Sequence, residues 1–88
     1  MTYRLDYSKD FLKFLKKHPK LAPRVLESFE IIAQNPYARD NHLDIKKLGG
    51  EENRYRLRIG KYRYLYEVLD EEVLVYAYQA DSRGDVYK

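Results

Sequence analysis

Polar and apolar residues alternate most regularly in the segment from residue 53 to residue 66. Side chains of a β-strand point to opposite faces in turn, so the segment predicts two strands that share one apolar and one basic face. Between them, Gly60 and Lys61 have the composition of a two-residue type II′ turn, with glycine at the first central position. In that hairpin register Arg58 lies directly opposite Arg63.

The arginines of this hairpin lie on the face opposite the apolar one. They are Arg54, Arg56 and Arg58 on the first strand and Arg63 on the second. Like charges this close repel each other, so we expect the arrangement to be costly unless a polyanion binds. Arginine binds phosphate oxygens through parallel N–H groups and is charged at every physiological pH. The pattern therefore predicts an open phosphate-binding face on the side of the sheet away from the core.

A spacing of three to four residues between apolar positions predicts two short helices before the hairpin. The first helix begins after Ser8, a suitable N-cap residue, and ends before Pro19. The second begins near Ala22 and ends before Asn35-Pro36, because the residue before a proline avoids the helical region. The apolar side of the first helix is expected to comprise Phe11, Leu12, Phe14, Leu15 and His18.

Further short strands are predicted at residues 2–6, at residues 43–48, and at residues 73–78 after a turn at Asp70-Glu71. A strand, two helices and then a run of antiparallel strands define an α+β fold, with the helical hairpin packed on one face of an antiparallel sheet. Three tyrosines share the apolar face of the Arg-rich hairpin, so we expect them in the core and not in base stacking. They are Tyr62, Tyr64 and Tyr66.

Length and composition limit the class of protein. The 88 residues allow one core, so we expect a single domain over residues 1–88. A hydrophobic fraction of 44% is too high for a disordered chain. Cysteine is absent, which excludes disulfides, thiolate nucleophiles and cysteine-based zinc sites. No apolar run is long enough to cross a membrane and no signal peptide precedes the patterned sequence, so we expect a soluble cytoplasmic protein.

The other polar residues form no recognisable catalytic motif. His42 has no second ligand at metal-binding spacing, so we predict no metal site, and no phosphate-cradling glycine loop or dinucleotide fingerprint indicates a cofactor. The lysines from Lys9 to Lys17 fit the solvated side of the first helix. The Arg-rich hairpin and the C-terminal tail remain as the places for chemistry.

If the polyanion is RNA, the simplest reaction is attack of a 2′-hydroxyl on its own phosphate. This reaction needs cations that stabilise the phosphorane, a proton acceptor and a proton donor. Arginine supplies the first but transfers protons poorly, because its pKa lies far above neutrality. Tyr87, or a tyrosine polarised by Arg83, is the candidate for proton transfer, and we expect a slow enzyme on free RNA.

Several short segments, taken in order, resemble the RelE/ParE toxin superfamily. They are Lys47 to Gly50, Tyr55 to Ile59, Gly60 to Arg63 and Tyr66 to Val68, and the ending from Ser82 to Lys88 resembles the RelE branch, particularly its archaeal-type members. The resemblance covers essentially the whole chain. It implies a ribosome-dependent endoribonuclease that cuts mRNA in the A site without a metal and is silenced by a cognate RelB-like antitoxin.

The resemblance also assigns the site. The implied catalytic residues are Arg56, Arg58, Arg63, Arg83 and Tyr87. Arg63 and Arg83 would contact the scissile phosphate, and Tyr87 would orient the substrate or supply a proton. The neighbouring basic residues expected to bind RNA are Arg54, Lys61, Lys46 and Lys47. Better-known bacterial members carry lysine where Arg56 and Arg58 stand, and the Glu/His acid–base pair of some related toxins has no clear counterpart here.

Two other functions fit the same pattern. One is a ParE-like toxin that poisons a DNA topoisomerase by binding, and the other is a non-catalytic ribosome- or RNA-binding module. The pair Arg58 and Arg63, together with the tail, favours the nuclease, since a pure binder needs no convergent phosphate clamp. The expected partners are an antitoxin, the ribosome and mRNA, with no membrane and no small-molecule cofactor.

Overall fold

A helical hairpin packs on one face of a five-stranded sheet in the computed structural model, which describes residues 2–38, 42–49 and 53–82. The elements in chain order are β1 (Arg4–Tyr7), α1 (Lys9–Lys17), α2 (Ala22–Gln34), β2 (Asp44–Lys47), β3 (Arg54–Ile59), β4 (Tyr62–Leu69), a 3₁₀ turn (Asp70–Glu72) and β5 (Leu74–Ser82). The strand order is β1-β5-β4-β3-β2. The predicted α+β class is confirmed. The sheet is mixed, because β1 lies parallel to β5 while the other neighbouring pairs are antiparallel.

The two helices begin and end where the sequence predicts. Ser8 caps α1: its Oγ accepts a hydrogen bond from the Phe11 backbone N–H at 3.0 Å and donates one to the Tyr78 carbonyl at 2.8 Å. This side chain therefore also ties the start of α1 to β5. His18 is the C-cap of α1, and α2 has Pro23 in its first turn. No helix in the described part of the chain is long and apolar enough to cross a membrane.

A layer of aromatic rings forms the core between the helices and the sheet. Phe29 of α2 packs edge-on against Phe11 of α1, with ring centroids 5.6 Å apart, and against Tyr66 of β4 at 5.4 Å. Tyr64 and Tyr66 are fully buried, as the alternation predicts, while Tyr62 is half-buried at the margin of the core. Burial raises the pKa of Tyr64 to about 12, so this hydroxyl stays neutral.

Some local predictions were wrong. Leu12 is 46% exposed and lies outside the core, because the buried side of α1 is narrower than the apolar stripe in the sequence. Val73 does not begin the last strand. It adopts the left-handed conformation, with φ of 51°, and its N–H donates to the Asp70 carbonyl to close the 3₁₀ turn. β5 therefore begins at Leu74, and it continues to Ser82 beyond the predicted end.

Candidate nucleic-acid interface

The β3–β4 hairpin has the register that the sequence predicts. Ile59 pairs with Tyr62, and Arg58 pairs with Arg63. Gly60 has φ of 62°, as the first central position of a type II′ turn requires. A Cβ built there would meet no heavy atom within 4 Å, so the backbone conformation, and not lack of space, favours glycine.

Arginines of β3 and β4 lie on the sheet face away from the helices. We call this surface the basic face; it comprises Arg54, Arg56, Arg58 and Arg63. Between the arginines of β3, Tyr55 and Leu57 point to the other side and are buried. The side chains of Arg54 and Arg58 are 41% and 49% exposed, whereas that of Arg56 is 12% exposed. Arg58, next to the turn, is therefore well placed to meet a ligand.

Acidic side chains on the same face compensate these charges, which the sequence reasoning missed. Asp44 of β2 is the cross-strand partner of Arg58, and its carboxylate accepts hydrogen bonds from Arg58 Nε and from Arg56 Nη2, each at 2.9 Å. Glu67 of β4 accepts from Arg54 Nε at 3.0 Å. The expectation of uncompensated repulsion was therefore wrong, because each of these arginines has a carboxylate within hydrogen-bond distance.

The expectation that this face is open throughout was also wrong. Leu65 of β4 lies on it, directly opposite Arg56, and is only 5% exposed. The middle of the basic face, around Arg56 and Leu65, is therefore largely closed to solvent. Its accessible parts lie at the two ends of β3, around Arg58 toward the turn and around Arg54.

The lysines predicted to bind RNA lie at different places around the hairpin. Lys46 is exposed on β2 and pairs with Arg56, so it lies on the basic face. Lys47 is the next residue along β2, so it is exposed on the opposite face. Lys61 is exposed at the turn, with its Nζ 5.8 Å from the Tyr62 ring centroid. Of these lysines, Lys46 shares the basic face, Lys61 lies at the turn, and Lys47 lies on the other side of the sheet.

The two catalytic candidates from the tail, Arg83 and Tyr87, lie outside the described residues. The last described residue is Ser82, which pairs with Tyr62 beside the β3–β4 turn. One position earlier, Asp81 pairs with Arg63. The described part of β5 therefore ends beside the accessible part of the basic face toward the turn.

The chemistry open to the basic face is that of phosphate binding. Guanidinium groups held by a sheet can donate parallel hydrogen bonds to phosphate oxygens and stabilise negative charge that develops there. They do not exchange protons near neutrality. Within residues 2–38, 42–49 and 53–82, no group of three His, Cys, Asp or Glu side chains is placed to hold a metal ion.

Comparison with known proteins places the chain in a family. The model of the ParE toxin of type II toxin–antitoxin systems (parDE) matches residues 5–79. The chain belongs to this toxin family. The toxin is 33% identical over 89 residues to a Methanocaldococcus jannaschii protein named RelE1, a match that covers 100% of this chain and 98% of that protein.

Solved structures place the toxin on the RelE branch. The archaeal RelE–RelB complex of Pyrococcus horikoshii OT3 matches with a TM-score of 0.80 and 33% identity, over 97% of this chain and 99% of that one. The RelB–RelE antitoxin–toxin complex of Methanococcus jannaschii matches with a TM-score of 0.74 and 30% identity, over 94% and 95%. The predicted membership of the RelE/ParE superfamily, in its RelE branch, is confirmed.

Proposed function

We propose that this toxin is a ribosome-dependent endoribonuclease that cleaves mRNA in the A site and so inhibits translation. The observation that supports the proposal most is the basic face, where Arg58 and Arg63 face each other across the β3–β4 hairpin. Two arginines at paired positions beside an exposed turn suit a phosphodiester that is presented in an extended chain. The similarity to RelE proteins over nearly the whole chain supports the same conclusion.

In the proposed reaction, the 2′-hydroxyl oxygen attacks the adjacent phosphorus and loses its proton to solvent water. The bond from phosphorus to the 5′-oxygen of the next nucleotide breaks, leaving a 2′,3′-cyclic phosphate, and the departing oxygen takes up a proton. Arg58 and Arg63 donate hydrogen bonds to the non-bridging oxygens and stabilise the charge of the phosphorane. We assign to Arg83 a contact with the same phosphate. We assign to Tyr87 the donation of the proton to the leaving oxygen.

The remaining basic residues would hold the substrate in place. Arg56 supports the phosphate contacts from the packed middle of the face. The others extend the positive charge along the hairpin and its neighbour β2: Arg54, Lys46, Lys47 and Lys61. Because the arginines supply charge and not proton transfer, the rate depends on how the ribosome positions the mRNA.

We also propose an antitoxin as the protein partner. Two of the similar structures are complexes of RelE with RelB, and the toxin family is defined by paired systems. Such a partner carries acidic residues if it covers the basic face, since it must compensate exposed positive charge there.

The test is cleavage of a defined mRNA during in vitro translation, read by primer extension with and without ribosomes. We expect a cut within the A-site codon only when ribosomes are present. Arg63→Ala should lower the cleavage rate about 100-fold or more, as for loss of one donor to a transition-state oxyanion. Lys13→Ala, which removes one exposed charge from α1 on the helix side, is the matched control and should retain activity.

Intact mRNA with a folded, ribosome-bound protein would replace the proposal by the non-catalytic ribosome- or RNA-binding module. Intact mRNA without ribosome binding would point to the other alternative, a toxin that poisons a DNA topoisomerase by binding. The match to the ParE toxin model favours testing this directly. Inhibition of supercoiling by purified gyrase, with no mRNA cleavage, would establish it.

A further inference from the structure

The Asp44 carboxylate binds arginine donors that could also bind a phosphate group. Its Oδ1 accepts from Arg56 Nη2 at 2.9 Å, and its Oδ2 accepts from both Nε and Nη2 of Arg58 at 2.9 Å. An anion whose two oxygens are held by guanidinium N–H groups is also the geometry of arginine–phosphate pairs. A phosphate that arrives at Arg58 and the Asp44 carboxylate therefore compete for the same donors.

We propose that Asp44 is an internal competitor of RNA phosphate, which lowers the affinity of the basic face for single-stranded RNA until the substrate displaces it. The inference rests on the proposed function, because it takes RNA to be the ligand of this face. It adds a specificity-determining residue that makes no bond to the substrate.

The position of Asp44 allows this exchange. The side chains of Asp44 and Arg58 are 44% and 49% exposed, so water surrounds much of the pair, and β2 is an edge strand of the sheet. Ion pairs this exposed are weak and exchange readily. The carboxylate and a phosphodiester each carry one negative charge. A single phosphate therefore gains little by displacing Asp44, whereas an RNA held through several phosphates gains enough.

The charge balance gives a second, independent signature. With Asp44 in place, the group of Asp44, Arg56 and Arg58 has a net charge of +1, the sum of two positive charges and one negative charge. Neutralising Asp44 raises this charge by one. An Asp44→Asn variant therefore presents one more net positive charge to RNA, and the slope of log K against log salt should become steeper by about 0.7.

The experiment measures binding of a fluorescein-labelled single-stranded RNA oligonucleotide by anisotropy over a series of NaCl concentrations. Asp44→Asn should bind about three- to twenty-fold tighter than wild type, because both the exposed Arg58 and the largely buried Arg56 lose their ion pair with Asp44. Asp44→Glu keeps the charge and should bind within about two-fold of wild type. Asp44→Ser carries the same prediction as Asp44→Asn and replaces it if that variant does not fold.

Glu71→Gln is the control for net charge alone. Glu71 is exposed in the turn after β4, at the opposite end of that strand from Arg63 and the Asp44 pair. The length of β4, which separates Glu71 from Arg63, exceeds the screening length of about 8 Å at 0.15 M salt. Glu71→Gln should therefore leave the affinity for RNA nearly unchanged.

Equal affinity and equal salt slope for Asp44→Asn and wild type would overturn the inference, as would weaker binding by Asp44→Asn. If Arg58→Ala still weakens binding in that case, RNA uses the basic face without displacing Asp44, and the proposed function stands. If Arg58→Ala also binds like wild type, RNA does not use this face, and the proposed function fails together with the inference.

Discussion

Replacing Gly60 by alanine separates the backbone conformation of the β3–β4 turn from the space around it. At φ of 62° an L-residue is strained by about 1–2 kcal/mol relative to its preferred conformations. The added Cβ would meet no heavy atom within 4 Å, so no steric term is added to this strain. For a domain of this size, 1 kcal/mol lowers the melting temperature by about 4–8 °C, and we expect Tm to fall by about 4–16 °C.

Gly49→Ala is the matched control. Its Cβ would also meet nothing within 4 Å, and Gly49 does not have a positive φ in the range that strains an alanine. Alanine there restricts the unfolded chain and should stabilise the protein by about 0.4–1 kcal/mol. Thermal and urea unfolding, followed by far-UV circular dichroism, measure both effects. Gly60→Asn should lie between wild type and Gly60→Ala, because asparagine tolerates positive φ better than alanine.

Equal unfolding free energies for Gly60→Ala and Gly49→Ala would refute this reasoning. The turn would then accept a side chain at its first central position, and glycine would not be what fixes the register of Arg58 against Arg63.

Two further predictions concern the contacts that join the helices and loops to the sheet. The Asp70 carboxylate accepts hydrogen bonds from the Tyr3 and Tyr37 hydroxyls, which holds the pKa of its carboxyl below the ordinary 3.8 and raises the pKa of the Tyr3 phenol above 10.0. Burial, and then its bond to Asp70, raises the pKa of the Tyr37 phenol. The stability from these bonds is therefore lost as pH falls through the lowered carboxyl pKa or rises above about 10. In a series of thermal melts, Asp70→Asn should lower Tm by a constant amount between about pH 5 and 9. Below pH 4 the difference from wild type should be smaller. An undiminished difference at low pH would contradict this linkage. Ser8→Ala removes the hydrogen bond to the Phe11 N–H and should cost about 1–2 kcal/mol in urea unfolding, whereas an unchanged midpoint would show that the cap contributes nothing.

The hairpin could be predicted from the sequence because its determinants are local. Only Gly60 and Lys61 separate β3 from β4, and a glycine with positive φ fixes which residues face each other. Alternation then decides which side is apolar, so the burial of Tyr64 and Tyr66 follows from the same pattern.

The contact of Asp44 with Arg56 and Arg58 could not be predicted in this way. β2 reaches β3 through residues 48–53, whose length and composition do not fix the register. A shift of one residue would move Asp44 to the other face of the sheet. The pairing of β1 with β5 could not be predicted either, because an alternating pattern shows that a segment forms a strand but does not show which strand it pairs with. Arg83 and Tyr87 lie outside the described residues, so their part in the site stays a prediction.

β1 is an edge strand, and its neighbour in the described sheet is β5, which lies at the other end of the described chain. The order in which the strands are synthesised therefore affects when the sheet can form. The hydrogen bond from Ser8 to Tyr78 joins residues 70 positions apart, and pairings this distant form late in folding. The apolar sides of α1 and α2 leave the ribosome first and stay exposed until the strands that they cover have been synthesised. A nascent copy therefore cannot complete its sheet until β5 has left the ribosome.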